Sequence, residues 1–259
     1  MNLFQVNLRK LAHNVRVRGL LREARVLRQV IAPRCSRAFL RTRDQFIGKV
    51  ALEVGDRSPC FANPHVFPIY PLLKSCDNLV LADSLWQKQT ADVAGRKITS
   101  DGVTCDGIRD ESYELVISWH CLEHMANPIR ALRNWRRILK PNGLAVVSVP
   151  DRNETFEHRR PLTSWSHILW DYEHDTGEDD LTHIEEHMRY YDHDMDLLGD
   201  VQDPEETLKM KVHNRETRTV HHHTWDDVLL AMALMYAGFQ LIEVSRHPPF
   251  HIISVARKP

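Results

Sequence analysis

The chain has 259 residues, 42% of them hydrophobic and 27% charged, with a formal net charge of −1. That length supports one full core, or one core with a lid, and the ordinary composition excludes a disordered or fibrous protein. Cys35, Cys60, Cys76, Cys105 and Cys121 are scattered and never form a CxxC pair. This favours reduced thiols and a cytoplasmic location over a disulfide framework or a cysteine zinc site. No apolar run reaches the ~18 residues of a membrane span.

The balanced total hides two blocks. Residues 1–49 carry twelve Lys/Arg against Glu23 and Asp44, a local net of +10. Residues 151–206 carry eighteen Asp/Glu against four arginines, a net of −14. The blocks either attract one another, within the chain or across a homodimer, or form separate solvated faces. In the first block Leu8, Leu11 and Val15, then Leu20, Ala24, Leu27 and Ile31, recur near 3.6 spacing. Such a basic helix can be a transit segment or bind membranes or nucleic acid. It has no secretory apolar stretch and no groove-reading motif, so no nucleic-acid partner is expected. Residues 1–48 are read as a basic helical extension that caps the core or joins a dimer.

An α/β pattern begins at Lys49. Apolar strands are expected at Val50–Val54, Leu79–Ala82, Ile98–Thr104, Val116–Ser118 and Leu144–Val149, with an amphipathic helix at about Pro128–Leu139. Apolar strands joined by such a helix suit a parallel sheet covered on both faces. Residues 151–220 break the pattern, being acidic and His-rich; twelve of the sixteen histidines lie at or beyond His158. So long a connection is usually functional, often a lid. A helix (Trp225 to Ala237), Gly238 as its C-cap, and strands Gln240–Ser245 and His251–Ala256 close the chain.

Open α/β sheets bind ligands beyond the carboxyl ends of their strands, where the strand order reverses. A nucleotide-like cofactor there needs a close backbone approach after the first strand, a carboxylate after the second and polar contacts after the third. Leu52-Glu53-Val54-Gly55, Leu-Ala-Asp83, Asp101-Gly102, Tyr113 through Leu122-Glu123-His124 and Leu139-Lys-Pro-Asn-Gly143 fall in that order. Together they resemble class I S-adenosylmethionine (SAM) methyltransferases over about residues 50–259. Asp56-Arg57-Ser58-Pro59 replaces the usual glycine-rich continuation, as in a subset that reads Leu-Glu-Ile-Gly followed by Pro. The resemblance implies a Rossmann-like seven-stranded α/β sheet in residues 49–259, with an inserted lid at 151–220. It implies SAM as cofactor, held by Glu53, Gly55, Asp83, Asp101, Gly102 and Ser118.

Asp151-Arg152 opens the lid and leads into Thr155-Phe156-Glu157-His158-Arg159-Arg160-Pro161, which resembles a segment of the same subset. Methylation of a hydroxyl needs a base as the oxygen attacks. His120, Asp151, His183 and His221 are the expected catalytic groups. Arg152, His158, Arg160, Glu186 and His223 are the expected acceptor contacts. His124 reads as structural. Alternation in an extended run puts His221 and His223 on one face, and His183 shares a helical face with Glu186. A Mg²⁺ ion, if used, would sit at Asp151 and Glu186. Members of this subset often accompany glycosyltransferases, which makes a sugar hydroxyl the first expectation for the acceptor and a small natural product the second. Two other readings remain. One is a non-catalytic methyltransferase-like module. The other is a zinc peptidase, because His183-Ile-Glu-Glu186-His187 matches H-x-x-E-H.

Overall fold

The computed structural model describes the chain except residues 1–11, 13, 17–18, 32–33, 63–65, 82–92 and 196–203. Asp83, Leu8 and Leu11 therefore lie outside the described residues. Seven strands, β1 (Val50–Val54), β2 (Ser75–Val80), β3 (Lys97–Thr99), β4 (Tyr113–Trp119), β5 (Leu139–Pro150), β6 (Gln240–His247) and β7 (His251–Arg257), form one sheet. Their order is β3-β2-β1-β4-β5-β7-β6. β1 to β5 pair in parallel, and β7 runs antiparallel between β5 and β6. This is the Rossmann-like sheet expected from the sequence. Order reverses between β1 and β4, which opens a crevice at their carboxyl ends.

Helices bounded within the described residues are α1 (Leu20–Ile31), α2 (Arg37–Thr42), α3 (Pro128–Ile138), α4 (Trp165–Glu173), α5 (His183–Tyr190), α6 (Pro204–Val212), α7 (Asn214–Thr217) and α8 (Asp227–Tyr236). α3 starts where Asn127 accepts a hydrogen bond from Arg130 N (3.0 Å) with Pro128 at its first position. α8 starts at Asp226, which accepts from Leu229 N at 2.7 Å. Gly238 ends that region with φ +93°, a conformation that disfavours a side chain.

Strand alternation sorts the core into two layers. Leu52, Val54, Val116, Ala145 and Val147 pack under α3 and α8 with Trp135, Leu132, Leu230 and Leu234. Ala51, Leu115, Ile117, Val146 and Val255 face the other way, onto Phe39, Phe46, Phe61, Phe67 and Tyr70. The proline-rich stretch after β1 supplies much of that second cover. It forms 3₁₀ turns at Pro59–Phe61 and Tyr70–Leu72, and the rings of Phe61 and Tyr70 meet at 5.7 Å. Fully burying one such ring stabilises by about 1.5–3 kcal/mol. Ala38, Phe39 and Phe46 are buried here too, so the chain joins the core from α2 onward.

The elements differ from expectation at three places. β2 begins at Ser75, because Asp77 is held in the sheet by Tyr113 Oη (2.8 Å) and Arg96 N (2.9 Å). β3 is three residues long, because Gly102–Thr104 turn back under Asp101. Lys140–Gly143 bulges within β5, with Asn142 at φ +62° and Lys258 N donating to Gly143 O at 2.9 Å.

Several acids of 151–220 pair with arginines outside the basic N-terminal block. Asp175 meets Arg130, Glu178 meets Arg218, Asp192 meets Arg159, and Asp151 meets Arg246. No helix of the described residues is long and apolar enough to cross a membrane.

Candidate active site

The crevice is a cleft of about 240 Å³ at the ends of β1, β2 and β4. Val54, Gly55, Asp56, Asp101, Gly102, His120, His124 and Arg218 are among its lining residues. Gly55 has φ +100° and abuts Cys121, whose Sγ would lie 3.2 Å from an added Cβ. Gly102 is tighter: a Cβ there would meet Val54 Cγ1 at 2.8 Å and Met125 Cε at 2.9 Å. Buried Trp135 fixes this turn by donating Nε1 to Gly102 O at 2.8 Å. Asp101 Oδ1 accepts from Val103 N at 2.6 Å.

Glu53 and Ser118 do not line the cleft, contrary to expectation. Period-2 alternation turns Glu53 to the aromatic layer, away from Val54. There it accepts from Tyr70 Oη (2.7 Å) and Ser58 N (3.0 Å), with Arg57 at 3.5 Å. Burial pushes its pKa up to about 8, against the lowering effect of those three partners. Glu53 thus ties down the loop that replaces the glycine-rich turn. Ser118 is fully buried within β4.

Two histidines form the cleft wall. His120 adopts φ +49°, its N–H held by Ser148 O at 2.9 Å, and its ring nitrogen lies 3.0 Å from that of His251. Burial depresses its pKa to about 3. His124, read as structural in the sequence, is also in the wall. Its Nδ1 is 3.2 Å from Val220 O, which can only accept, so the proton sits on Nδ1 and Nε2 keeps its lone pair. A quarter of its side chain stays open (26%), but protein encloses the rest. That burial, with His221 nearby, holds its pKa well below the ordinary histidine value.

Behind His124 lies a buried group from the insert. The His221 ring meets that of His124 edge to face at 4.5 Å, and His221 Nδ1 lies 2.7 Å from Glu157 Oε2. Glu157 also faces His187 (3.3 Å) and is bonded by Arg160. These partners overcome burial and keep the Glu157 pKa well below the ordinary carboxylate value. Glu123, beneath them, has its pKa raised by burial.

The other expected residues are dispersed. Asp151 is buried beside Arg246 (3.1 Å) and caps Asn153 N (3.1 Å). Arg152 donates to Asn153 at 2.7 Å and to Arg160 O, and His158 pairs with Asp192 at 3.0 Å. Arg160 is buried on Glu157 and reaches Glu186 at 3.2 Å, and among the described residues Asp151 and Glu186 share no potential ligand set. His221 and His223 fall in separate groups, because residues 218–224 form no ladder to enforce alternation. His223 lies 3.6 Å from Asp171. His183 turns Nε2 to His167 and Asp180 and keeps Nδ1 3.9 Å from Glu186, as their helical spacing implies, whereas His187 turns to Glu157.

Sequence reasoning missed a clamp over the cleft. Arg218, at φ +49°, bonds Asp101 with one guanidinium nitrogen and Glu178 Oε1 (2.6 Å) with the other. Glu178 also accepts from Ala126 N at 3.1 Å. The insert is thereby joined to the body beside the cleft. Only the excess of acids and arginines in the insert hinted at such pairs.

A methyltransferase-domain family model matches residues 61–244. The chain belongs to that family. With its sheet order it is a class I SAM-dependent methyltransferase. A Burkholderia thailandensis 1,6-didemethyltoxoflavin-N1-methyltransferase, solved with 1,6-didemethyltoxoflavin and S-adenosylhomocysteine, is 14% identical with a TM-score of 0.47, over 92% of this chain and 87% of that one. A SAM-dependent methyltransferase from Mesorhizobium loti is 14% identical with a TM-score of 0.46, over 82% and 92%. A highly reducing polyketide synthase of Emericella nidulans is 34% identical over 73 residues, 24% of this chain. The chain spans about 3% of the length of that relative. SAM fits the residues present: the cleft lies at the switch point and offers the Gly55–Asp56 main chain, the Asp101 turn and the apolar surfaces of Leu79 and Met125.

Proposed function

We propose that this enzyme methylates a hydroxyl of a small polar acceptor, a sugar first among them, in the cleft between β4 and the 151–220 insert, which serves as a lid. The observation that carries this reading is a neutral histidine in the cleft wall, His124, backed by the buried His221–Glu157 pair. A hydroxyl acceptor must lose its proton as the oxygen attacks, and a neutral histidine in the wall can take it.

When bound, SAM supplies an electrophilic methyl carbon on a good leaving group. The chain's residues do the rest. Gly55, Asp56, Asp101 and Gly102 shape the cofactor side, and the Arg218 clamp holds the lid against Asp101 to exclude water. His124 Nε2 takes the acceptor's proton as its oxygen attacks. The resulting imidazolium lies near the ionised Glu157 carboxylate, with His221 between them. His221 is a positioning residue here, oriented by Glu157 as a carboxylate orients a catalytic histidine.

The test is mass spectrometry of glycans and small hydroxyl compounds incubated with enzyme and SAM. Gain of one methyl in place of a hydroxyl proton supports the reading. Methylation confined to amines, or SAM binding without turnover on any acceptor, overturns it; the second outcome would favour a binding module.

A further inference from the structure

Beside the clamp lies a second cluster of histidines and carboxylates that the methyl-transfer reading does not use. His167 on α4 and His183 on α5 point their Nε2 atoms at each other, 3.1 Å apart. Asp171 Oδ2 lies 3.3 Å from His167 Nε2 and 3.6 Å from His223 Nε2. Asp180 Oδ2 is 3.8 Å from His183 Nε2. Asp171 is 3% exposed, and this Oδ2 is buried and accepts no hydrogen bond. An orphaned buried carboxylate oxygen costs about 1–3 kcal/mol or more, so it calls for a partner.

A divalent metal supplies one. Ligands about 2.0–2.2 Å from a tetrahedral zinc ion lie roughly 3.3–3.6 Å from one another. Three of the separations among these atoms, 3.1, 3.3 and 3.6 Å, lie at or near that range. His167–Asp171–His223 converge as one potential ligand set and Asp180–His183–His222 as a second, joined through the His167–His183 contact. We propose that the lid holds a zinc-class divalent ion on His167 Nε2, His183 Nε2, His223 Nε2 and Asp171 Oδ2, with Asp180 beside it.

The imidazoles are prepared for this. Burial depresses the His183 pKa to about 4 and holds that of His223 well below the ordinary value, so both offer lone pairs at neutral pH. His223 Nε2 now faces Ala126 O at 3.2 Å, and its Nδ1 is buried without a partner. Moving the proton from Nε2 to Nδ1 frees Nε2 for the ion. Four ligands from the protein make a closed site, so the role is structural. The ion would tie α4 and α5 to the 218–224 run that carries Arg218 and His221, and so hold the lid in register over the cleft. The set differs from that of a peptidase, since His187 is bound to the Glu157 group.

The experiment strips the purified chain with chelator, then titrates it with Zn²⁺ and with Co²⁺. Expected are one equivalent bound, the visible absorption of tetrahedral Co²⁺, and a rise in Tm on reloading. His167→Ala and Asp171→Asn should each weaken Zn²⁺ binding by more than about tenfold, while His187→Ala and His174→Ala keep it. No binding by the stripped, folded wild-type chain overturns the proposal and leaves a plain His167–His183 hydrogen bond. Loss of metal in His187→Ala with retention in His167→Ala overturns it also. Cofactor binding, followed by calorimetry on the same samples, reports on the methyl-transfer reading separately.

Discussion

The rings of His124 and His221 meet edge to face with centroids 4.5 Å apart. One ring belongs to the cleft wall after β4, and the other to the insert 97 residues later, where it is fixed by Glu157 at 2.7 Å. The contact joins the cleft wall and the insert region at one point. His124→Asn should leave SAM binding intact and slow methyl transfer by about 10²–10⁴-fold, the usual worth of a positioned base. His221→Asn should also lower kcat and should move the acid limb of its pH profile, which a purely packing role would not do. Single-turnover rates with calorimetry for SAM decide it; wild-type rates in His124→Asn would remove the base from this site.

The acid limb has a predictable place. A base must be deprotonated to act, and the His124 pKa is held well below that of a free histidine. Activity should therefore persist as pH falls through about 6.5, the ordinary histidine value, and decline only below it. A kcat profile on folded enzyme that halves at the ordinary value would contradict the burial of His124.

Stability should fall faster than activity in acid. His187 has its pKa depressed to about 4, and those of His223 and His251 lie well below the ordinary value, all chiefly through burial. The unfolded chain takes up protons at these histidines near pH 6.5 while the folded chain does not. Their contribution is therefore complete above that pH and is lost as pH falls below it. Glu157, also depressed, adds a loss at lower pH, below the unfolded carboxylate value. Each group contributes a slope of up to about 1.4 kcal/mol per pH unit. Urea unfolding at a series of pH values should show stability dropping steeply from about pH 6.5 downward. His251→Phe should make that drop shallower, and an unchanged slope in the variant would refute the assignment.

Arg218 should govern lid closure. Its two ion pairs, to Asp101 and Glu178, are partly buried, so solvent screens them less than surface pairs. Arg218→Ala should weaken SAM binding by about tenfold, about 1.4 kcal/mol, with less effect on global stability. Calorimetry with SAM and its demethylated product checks this. Binding at wild-type strength would make the clamp a surface contact only.

The sheet was legible because buried parallel strands must be continuously apolar, and Val50–Val54 and Leu144–Val149 are. The cleft was legible at Gly55, Asp101, Gly102 and His120 because these follow strand ends. Glu53 faces the aromatic layer and not the cleft, a direction that five strand residues do not reveal. The place of His124 in the cleft wall is not legible, because a helix-entry turn gives no direction for a ring. Arg218 pairs with Asp101 across 117 residues, and Asp171 with His223 across 52. Such pairings are set by how an irregular insert folds back, for which neither period 2 nor period 3.6 gives a rule.

Gly102 offers the sharpest steric test of the cofactor side. A methyl group there would sit 2.8 Å from Val54 Cγ1 and 2.9 Å from Met125 Cε, inside van der Waals contact with both. Val54 is fixed within β1, so the strain must move the Asp101–Gly102 turn, which Trp135 holds by its bond to Gly102 O. Overpacking of this kind costs about 1–3 kcal/mol. Gly102→Ala should lower stability by that amount and weaken SAM binding, because Asp101 shifts with the turn and Arg218 loses its partner. Gly107→Ala, where the added methyl meets nothing within 4 Å, is the control for backbone strain alone at φ +77°. It should cost stability yet leave SAM affinity unchanged. If Gly102→Ala bound SAM as the wild type does, the turn after β3 would have no part in holding the cofactor.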